Sequence, residues 1–374
     1  MMQYYPIAYP RWYVEGFAEF VMTADIRPQQ ITYGTYNRVR AAWLGDRRAW
    51  LPYEQILFGL PDGAGAEDLA RFYAQSWLLV HYLFSNDERR DAFRRYLTAL
   101  RRNEDPRQAF AASFGMDARG LDRALRDYSE GFTYLRIARP AERPPIPIAI
   151  TRLPRSADDL LLHQAAIRRG GQSPERQQEI LAAVRRSART HGDSFSKRLL
   201  AQAEILYGDP AAADPLLDAL LAEAPNDAEL LYFKGMRHLV AGRADAERRR
   251  EHFREARTWF ARAHRADSNH FPTLYRYAES YSTEPGFVSE NTANILMLAT
   301  ELAPQVQEIR LNAAQILLVR EQFEEAEALL APIVSSAHRG EAAVAAAALL
   351  ELARTRTRPD PERLRETLSG GEAE

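Results

Sequence analysis

No helix or interior strand can pass through Arg139-Pro140-Ala141-Glu142-Arg143-Pro144-Pro145-Ile146-Pro147. Each proline lacks an N–H donor, and each confines the residue before it to extended backbone. A chain of 374 residues broken in this way is expected to form two bodies, residues 1–135 and 156–368. The segment 136–155 is then an extended linker, and the polar end 369–374 a disordered tail.

Apolar residues make up 46% of the chain, enough for two proper cores. The formal net charge of -2 provides no field that would draw the protein to nucleic acid, and no nucleic-acid partner is expected. The one dense basic run, Arg248-Arg249-Arg250, is flanked by Glu247 and Glu251 and reads as a solvated helix face. No apolar stretch reaches the ~20 residues a membrane span requires. Cysteine is absent, which excludes disulfides, thiolate metal sites and a cysteine nucleophile. It suits a reducing cytoplasm as well as a bacterial periplasm, so the compartment stays open. Any metal must be held by histidine and carboxylates, yet no two of the eight histidines stand four residues apart on one helix face.

The first body reads as helical and aromatic. Pro10 stands at a good helix start before Trp12–Val21. Asp62-Gly63 and Gly65 mark a turn before Leu69–Phe84, where Phe72, Trp77, Val80 and Phe84 recur at helical spacing. Further helices are expected over Glu88–Arg101 and Ala118–Gly131. The second body is rich in Ala, Leu, Arg and Glu and reads as helix pairs with short turns. The fold class expected for the whole chain is all-α.

Ala-Pro recurs in the second body at Ala224-Pro225 and Ala303-Pro304, 79 residues apart. Small and apolar residues precede each: Ala213, Leu217 and Leu220, then Leu296 and Ala299. Leu231, Gly235 and Gly242 suit a first helix, and Ala256, Phe260 and Ala263 a second. This pattern resembles tetratricopeptide (TPR) repeats, helix pairs of about 34 residues with small residues at close contacts. The 14 residues from Gly242 to Ala256 exceed the ~5 of the repeat, which implies an insertion of about nine. A last unit runs from Gln307 to about Ser335 with Ala313, Ala314, Leu317, Phe323, Ala326 and Leu330, and Ala342–Leu352 caps the stack. The resemblance implies a TPR-like α-solenoid. Its concave face would carry Glu308 and Gln315 and bind a protein or peptide partner.

The first body holds Trp12-Tyr13-Val14-Glu15-Gly16-Phe17-Ala18-Glu19-Phe20 and, further on, Tyr73-Ala74-Gln75-Ser76-Trp77-Leu78-Leu79-Val80-His81-Tyr82-Leu83. The first resembles the W-x-x-E-G-x-A-x-(F/Y) helix of gluzincin metallopeptidases, the aminopeptidase-N-like and peptidase-MA-like enzymes. The second resembles the tyrosine-led helix of the same families. The resemblance implies that this body is the helical lower subdomain of a gluzincin. It gives Glu15 the role of third zinc ligand. Glu19, one turn on, would accept a hydrogen bond from a zinc-binding histidine. Tyr73, 58 residues after Glu15, would donate to the oxyanion of the tetrahedral intermediate. His81 reads as a packing residue. Without the family, Glu15 and Glu19 are first-turn acids favoured by the helix dipole, and Tyr73 is a core tyrosine.

One departure weighs against catalysis by this chain. HExxH occurs nowhere in it. In the family that motif precedes the third-ligand glutamate by roughly eighteen residues or more, and Glu15 has fourteen residues before it. The chain is therefore expected to be a truncated form of a zinc metallopeptidase-like protein that hydrolyses peptides when intact, with no zinc bound to the chain as it stands. The alternative is a non-enzymatic TPR scaffold carrying a degenerate peptidase-like domain.

Overall fold

A computed structural model describes residues 9–27, 29–35, 38–59, 64–102, 104–131, 135–138 (backbone only), 148–284, 286–334 and 341–361. The turn at Asp62-Gly63, the proline run 139–147 and the tail 369–374 lie outside the described residues. The fold is all-α: eighteen α-helices and three short strands are described. The chain divides into two compact units, residues 1–147 with 328–350, and residues 148–327 with 351–374.

In the first unit α1 (Arg11–Met22) leads into β1 (Asp25–Ile26) and β2 (Gln30–Tyr33). Then come α2 (Arg38–Gly45), α3 (Tyr53–Phe58), α4 (Ala66–Phe84), α5 (Asp87–Arg101), α6 (Pro106–Phe114), α7 (Ala118–Tyr128) and β3 (Leu135–Ala138). The four helices expected from apolar spacing correspond to α1, α4, α5 and α7. Three of these helices start where polar side chains satisfy their first N–H groups: Asn86 caps α5, Asp105 caps α6 ahead of Pro106, and Asp117 caps α7. The strands form one antiparallel sheet in the order β1-β2-β3, with Ile26 opposite Ile31 and Tyr33 opposite Leu135. Residues 136–138, expected to open the linker, are therefore strand. Trp12, Phe20, Tyr53, Phe72, Leu78, Leu79, Tyr96 and Phe110 form one aromatic-rich core.

The second unit begins with α8 (Ser156–Arg169), α9 (Pro174–His191), α10 (Ser194–Tyr207) and α11 (Asp214–Glu223). It continues through α12 (Ala228–Ala244), α13 (Arg249–Ala266), α14 (Phe271–Glu279), α15 (Glu290–Leu302) and α16 (Gln307–Val319). Two further helices, α17 (Phe323–Val334) and α18 (Glu341–Arg354), straddle the division. Consecutive helices from α12 to α16 pack on one another. Ala213, Leu217, Ala299 and Ala326, expected at close helix contacts, are wholly buried.

Within this unit α12 packs closely on α13. A Cβ added to Gly235 would fall 2.4 Å from Phe260, and one added to Gly242 would fall 2.8 Å from Phe253. Seven residues forward on α12 thus match seven residues back on α13, the register of an antiparallel pair two turns apart. The extra residues between Gly242 and Ala256 lengthen both helices of this pair. Within them Arg249 donates to the carbonyl of Gly242 near the end of α12, and Arg248 pairs with Glu251.

Candidate functional site at the crossing of α1 and α4

Trp12, Tyr13, Gly16, Glu19 and Phe20 are the buried residues of α1. Their spacing is one helical stripe, and it faces α4. Gly16 sets the distance between the helices: a Cβ there would lie 2.3 Å from the carbonyl oxygen of Ser76 and 2.9 Å from Val80 Cγ2. Backbone therefore meets backbone at this point. Glu15 and Glu19 flank Gly16 on α1, and Tyr73 stands one turn before Ser76 on α4, so the three residues singled out in the sequence belong to one helix crossing.

Glu19 is a carboxylate on a stripe that is otherwise apolar, with 9% of its surface exposed. A charge in that position needs a partner. Arg40 of α2 supplies it: Nε donates to Oε1 of Glu19 at 2.9 Å, and Nη2 lies 2.7 Å from the same oxygen. The same guanidinium lies over the ring of Tyr73, 5.0 Å from its centroid. Glu19 and Tyr73 thus share one arginine, which links α1, α2 and α4. Glu15 is half-buried, with Oε1 withdrawn from solvent. Tyr73 is half-buried as well.

Sequence reasoning missed Arg40. The signal was Glu19 itself, since its place on the buried stripe demands a cation. Nothing in Arg38-Val39-Arg40-Ala41-Ala42-Trp43-Leu44 marks which arginine answers. His81 is fully buried. Its Nδ1 lies 2.7 Å from the Tyr128 hydroxyl, and its ring packs on Trp77 and Phe20. Gly34, at φ 78°, passes so close that a Cβ would sit 2.9 Å from the His81 and Phe20 rings. This is the packing role read from the sequence.

Several buried polar atoms at the crossing have no hydrogen-bond partner among the described residues. They are Arg11 Nε, Trp12 Nε1, Glu19 Oε2 and Ser76 Oγ. Each unmade bond costs about 1–3 kcal/mol relative to a satisfied group, so their concentration on two helices marks this crossing out. It offers an acceptor at Glu19 and donors at the indole, the hydroxyl and the guanidinium. Zinc, the metal implied by the gluzincin resemblance, would need ligands beyond the described residues. No group of three or more His, Asp or Glu among them could hold an ion, and the cation already on Glu19 is a guanidinium.

In the second unit a line of polar side chains joins α12, α14 and α16. Glu279, buried on α14, accepts from Arg276 at 2.7 Å and from Arg243 of α12 at 2.9 Å. Tyr275 donates to Glu308 of α16 at 2.7 Å and accepts from Asn312 at 2.6 Å. Burial, with Glu308 beside it, pushes the Tyr275 phenol well above its ordinary pKa. Glu308, expected on a partner-binding face, is exposed and engaged in this line, and Gln315 is half-buried. No helix among the described residues is long and apolar enough to cross a membrane. Compared with known protein families and with curated proteins, the chain matches none.

Proposed function

We propose that the first unit is the helical part of a gluzincin-type metallopeptidase domain and that the second is a TPR-like module that engages a protein or peptide. The observation that carries this reading is the Glu19 carboxylate. One oxygen is held by Arg40, and the other is buried without a donor among the described residues. In the resembling family a zinc-binding imidazole donates to the acid at this position. A fixed acceptor waiting at that point is what such a role requires. Glu15, one turn earlier, is the proposed third ligand, and Tyr73 the proposed oxyanion donor. The remaining ligands and the general base are not among this chain's described residues, so hydrolysis by the chain alone is not proposed.

The second reading, a scaffold that only binds, is favoured by Arg40. A guanidinium bonded to Glu19 already neutralises the site, as a structural ion pair would.

The reading frame upstream of Met1 separates the two. An in-frame HExxH within about ten residues of Met1, and a longer product that holds one zinc per chain and loses it on Glu15→Ala, supports the peptidase reading. A stop codon directly upstream, or a longer product whose zinc content is indifferent to Glu15→Ala, rejects it.

A further inference from the structure

Arg310 is the fourth residue of α16, and only 5% of its surface is exposed. Its Nε and Nη2 are both buried, and neither has a hydrogen-bond partner among the described residues. These two nitrogens form one edge of the guanidinium. It is the same edge that Arg185 lays on Glu204, with Nε to Oε1 at 2.6 Å and Nη2 to Oε2 at 2.7 Å. The edge is a fork matched to two oxygens of one anionic group. At Arg185 the fork is filled; at Arg310 no described residue bonds to it.

Nothing on the same side of α16 answers it. The residues one turn on are Ala313 and Ala314, both buried. Glu308 and Asn312 stand two positions away in either direction, on the other side of the helix, and are committed to Tyr275. Burial alone acts on Arg310 and draws its pKa down to about 10. At Arg276 burial pulls the same way, but the Glu279 carboxylate with the Tyr232 and Tyr275 hydroxyls together outweighs it. The start of α16 adds a second positive element. Its cap residue is Val306, which provides no side-chain acceptor for the first-turn N–H groups. Side chains in a helix lean toward its N-terminus, and Arg310 stands in the turn that follows these N–H groups.

We propose that Arg310 and the first turn of α16 form a binding site for a two-oxygen anion, a carboxylate or a phosphate group. This is independent of the peptidase reading, since it uses no residue of the first unit.

Thermal unfolding of the full chain tests it, in sodium phosphate, sodium acetate and sodium chloride matched for ionic strength. Phosphate or acetate should raise the midpoint saturably, by about 4 °C at a hundredfold excess over half-saturation. The salt with the lower half-saturation names the preferred anion. Arg310→Met should abolish the rise, and Arg310→Lys, which keeps the charge but not the fork, should retain a smaller one. Equal midpoints of the wild type in all three salts overturn the proposal, as does a rise that persists in Arg310→Met. An Arg310→Met protein more stable than wild type in every salt also overturns it, because the arginine would then be only a buried cation. Should the methionine variant fail to fold, the wild-type titration and the lysine variant still decide.

Discussion

Replacing Gly16 with alanine tests the α1–α4 crossing most directly. On an exposed helix face the change would stabilise by about 1 kcal/mol through helix propensity. Here the new methyl carbon would lie 2.3 Å from the Ser76 carbonyl oxygen and 2.6 Å from its carbon. Those atoms belong to the backbone of a long helix and cannot swing aside. Restoring ordinary van der Waals separation moves the helices apart by roughly 1 Å, a gap that forfeits a quarter to a half of each contact's attraction. Trp12, Phe20 and Val80 are buried in the surrounding core. With about 40 contacts per side chain at ~0.1 kcal/mol each, losing a quarter costs about 1 kcal/mol per residue, or roughly 3 kcal/mol for the three. Set against the propensity gain, the net destabilisation is about 2 kcal/mol, inside the range for overpacked cores. The control is Gly45→Ala, where an added Cβ meets nothing within 4 Å; it should be neutral or slightly stabilising. Urea unfolding followed by tryptophan fluorescence suits the measurement, because Trp12, Trp43, Trp50 and Trp77 lie in the first unit and only Trp259 in the second. A Gly16→Ala protein as stable as wild type would falsify the close-crossing argument.

Arg40→Met should cost about 2–4 kcal/mol in the same assay, because it strands the Glu19 carboxylate, and Arg40→Lys should recover part of that; a neutral Arg40→Met would mean that Glu19 is not held by this pair. The 374-residue chain should bind no stoichiometric zinc at micromolar levels, and elemental analysis showing one tight zinc per chain, lost on Glu15→Ala, would contradict the ligand argument. His238 is held down to about 4 from 6.5 by burial first and the Arg237 charge second. The unfolded chain therefore binds the proton more readily between those values, and the contribution of His238 to stability is full above pH 6.5 and lost as pH falls toward 4. Because the ring is partly exposed, that contribution is about 1–2 kcal/mol after discounting for solvent screening. His238→Gln should flatten this limb of the pH–stability curve, and an unchanged slope would remove His238 as its cause.

The helices that sequence reasoning located are those whose apolar residues repeat at helical spacing over three turns or more. In α4 the spacing of Phe72, Trp77, Val80 and Phe84 could be read directly. The sheet could not, since β2 is only four residues long and each is merely half-buried, so no alternation of inside and outside stands out. Glu15, Glu19 and Tyr73 were found through motifs, and their common crossing depends on Gly16, which those motifs contain. Arg40 and Arg310 were not found. The partner of Arg40 and the burial of Arg310 arise from tertiary packing, and each arginine looks in sequence like any solvated one. Pairing the two halves of a tertiary ion pair requires the fold.

The strand pairing of the first unit bears on how the protein is made. Gln30 pairs with Ala138, so β2 must wait for chain synthesised roughly a hundred residues later. Closing a loop of that length costs about 4 kcal/mol in chain entropy, which four residues of backbone pairing cannot repay alone. The helices between must already be packed and hold the ends near each other. During translation, α1 through α7 can therefore collapse early, while the β2–β3 pairing forms after them. Until β3 arrives, one edge of β2 stays unpaired and open to any neighbouring nascent chain.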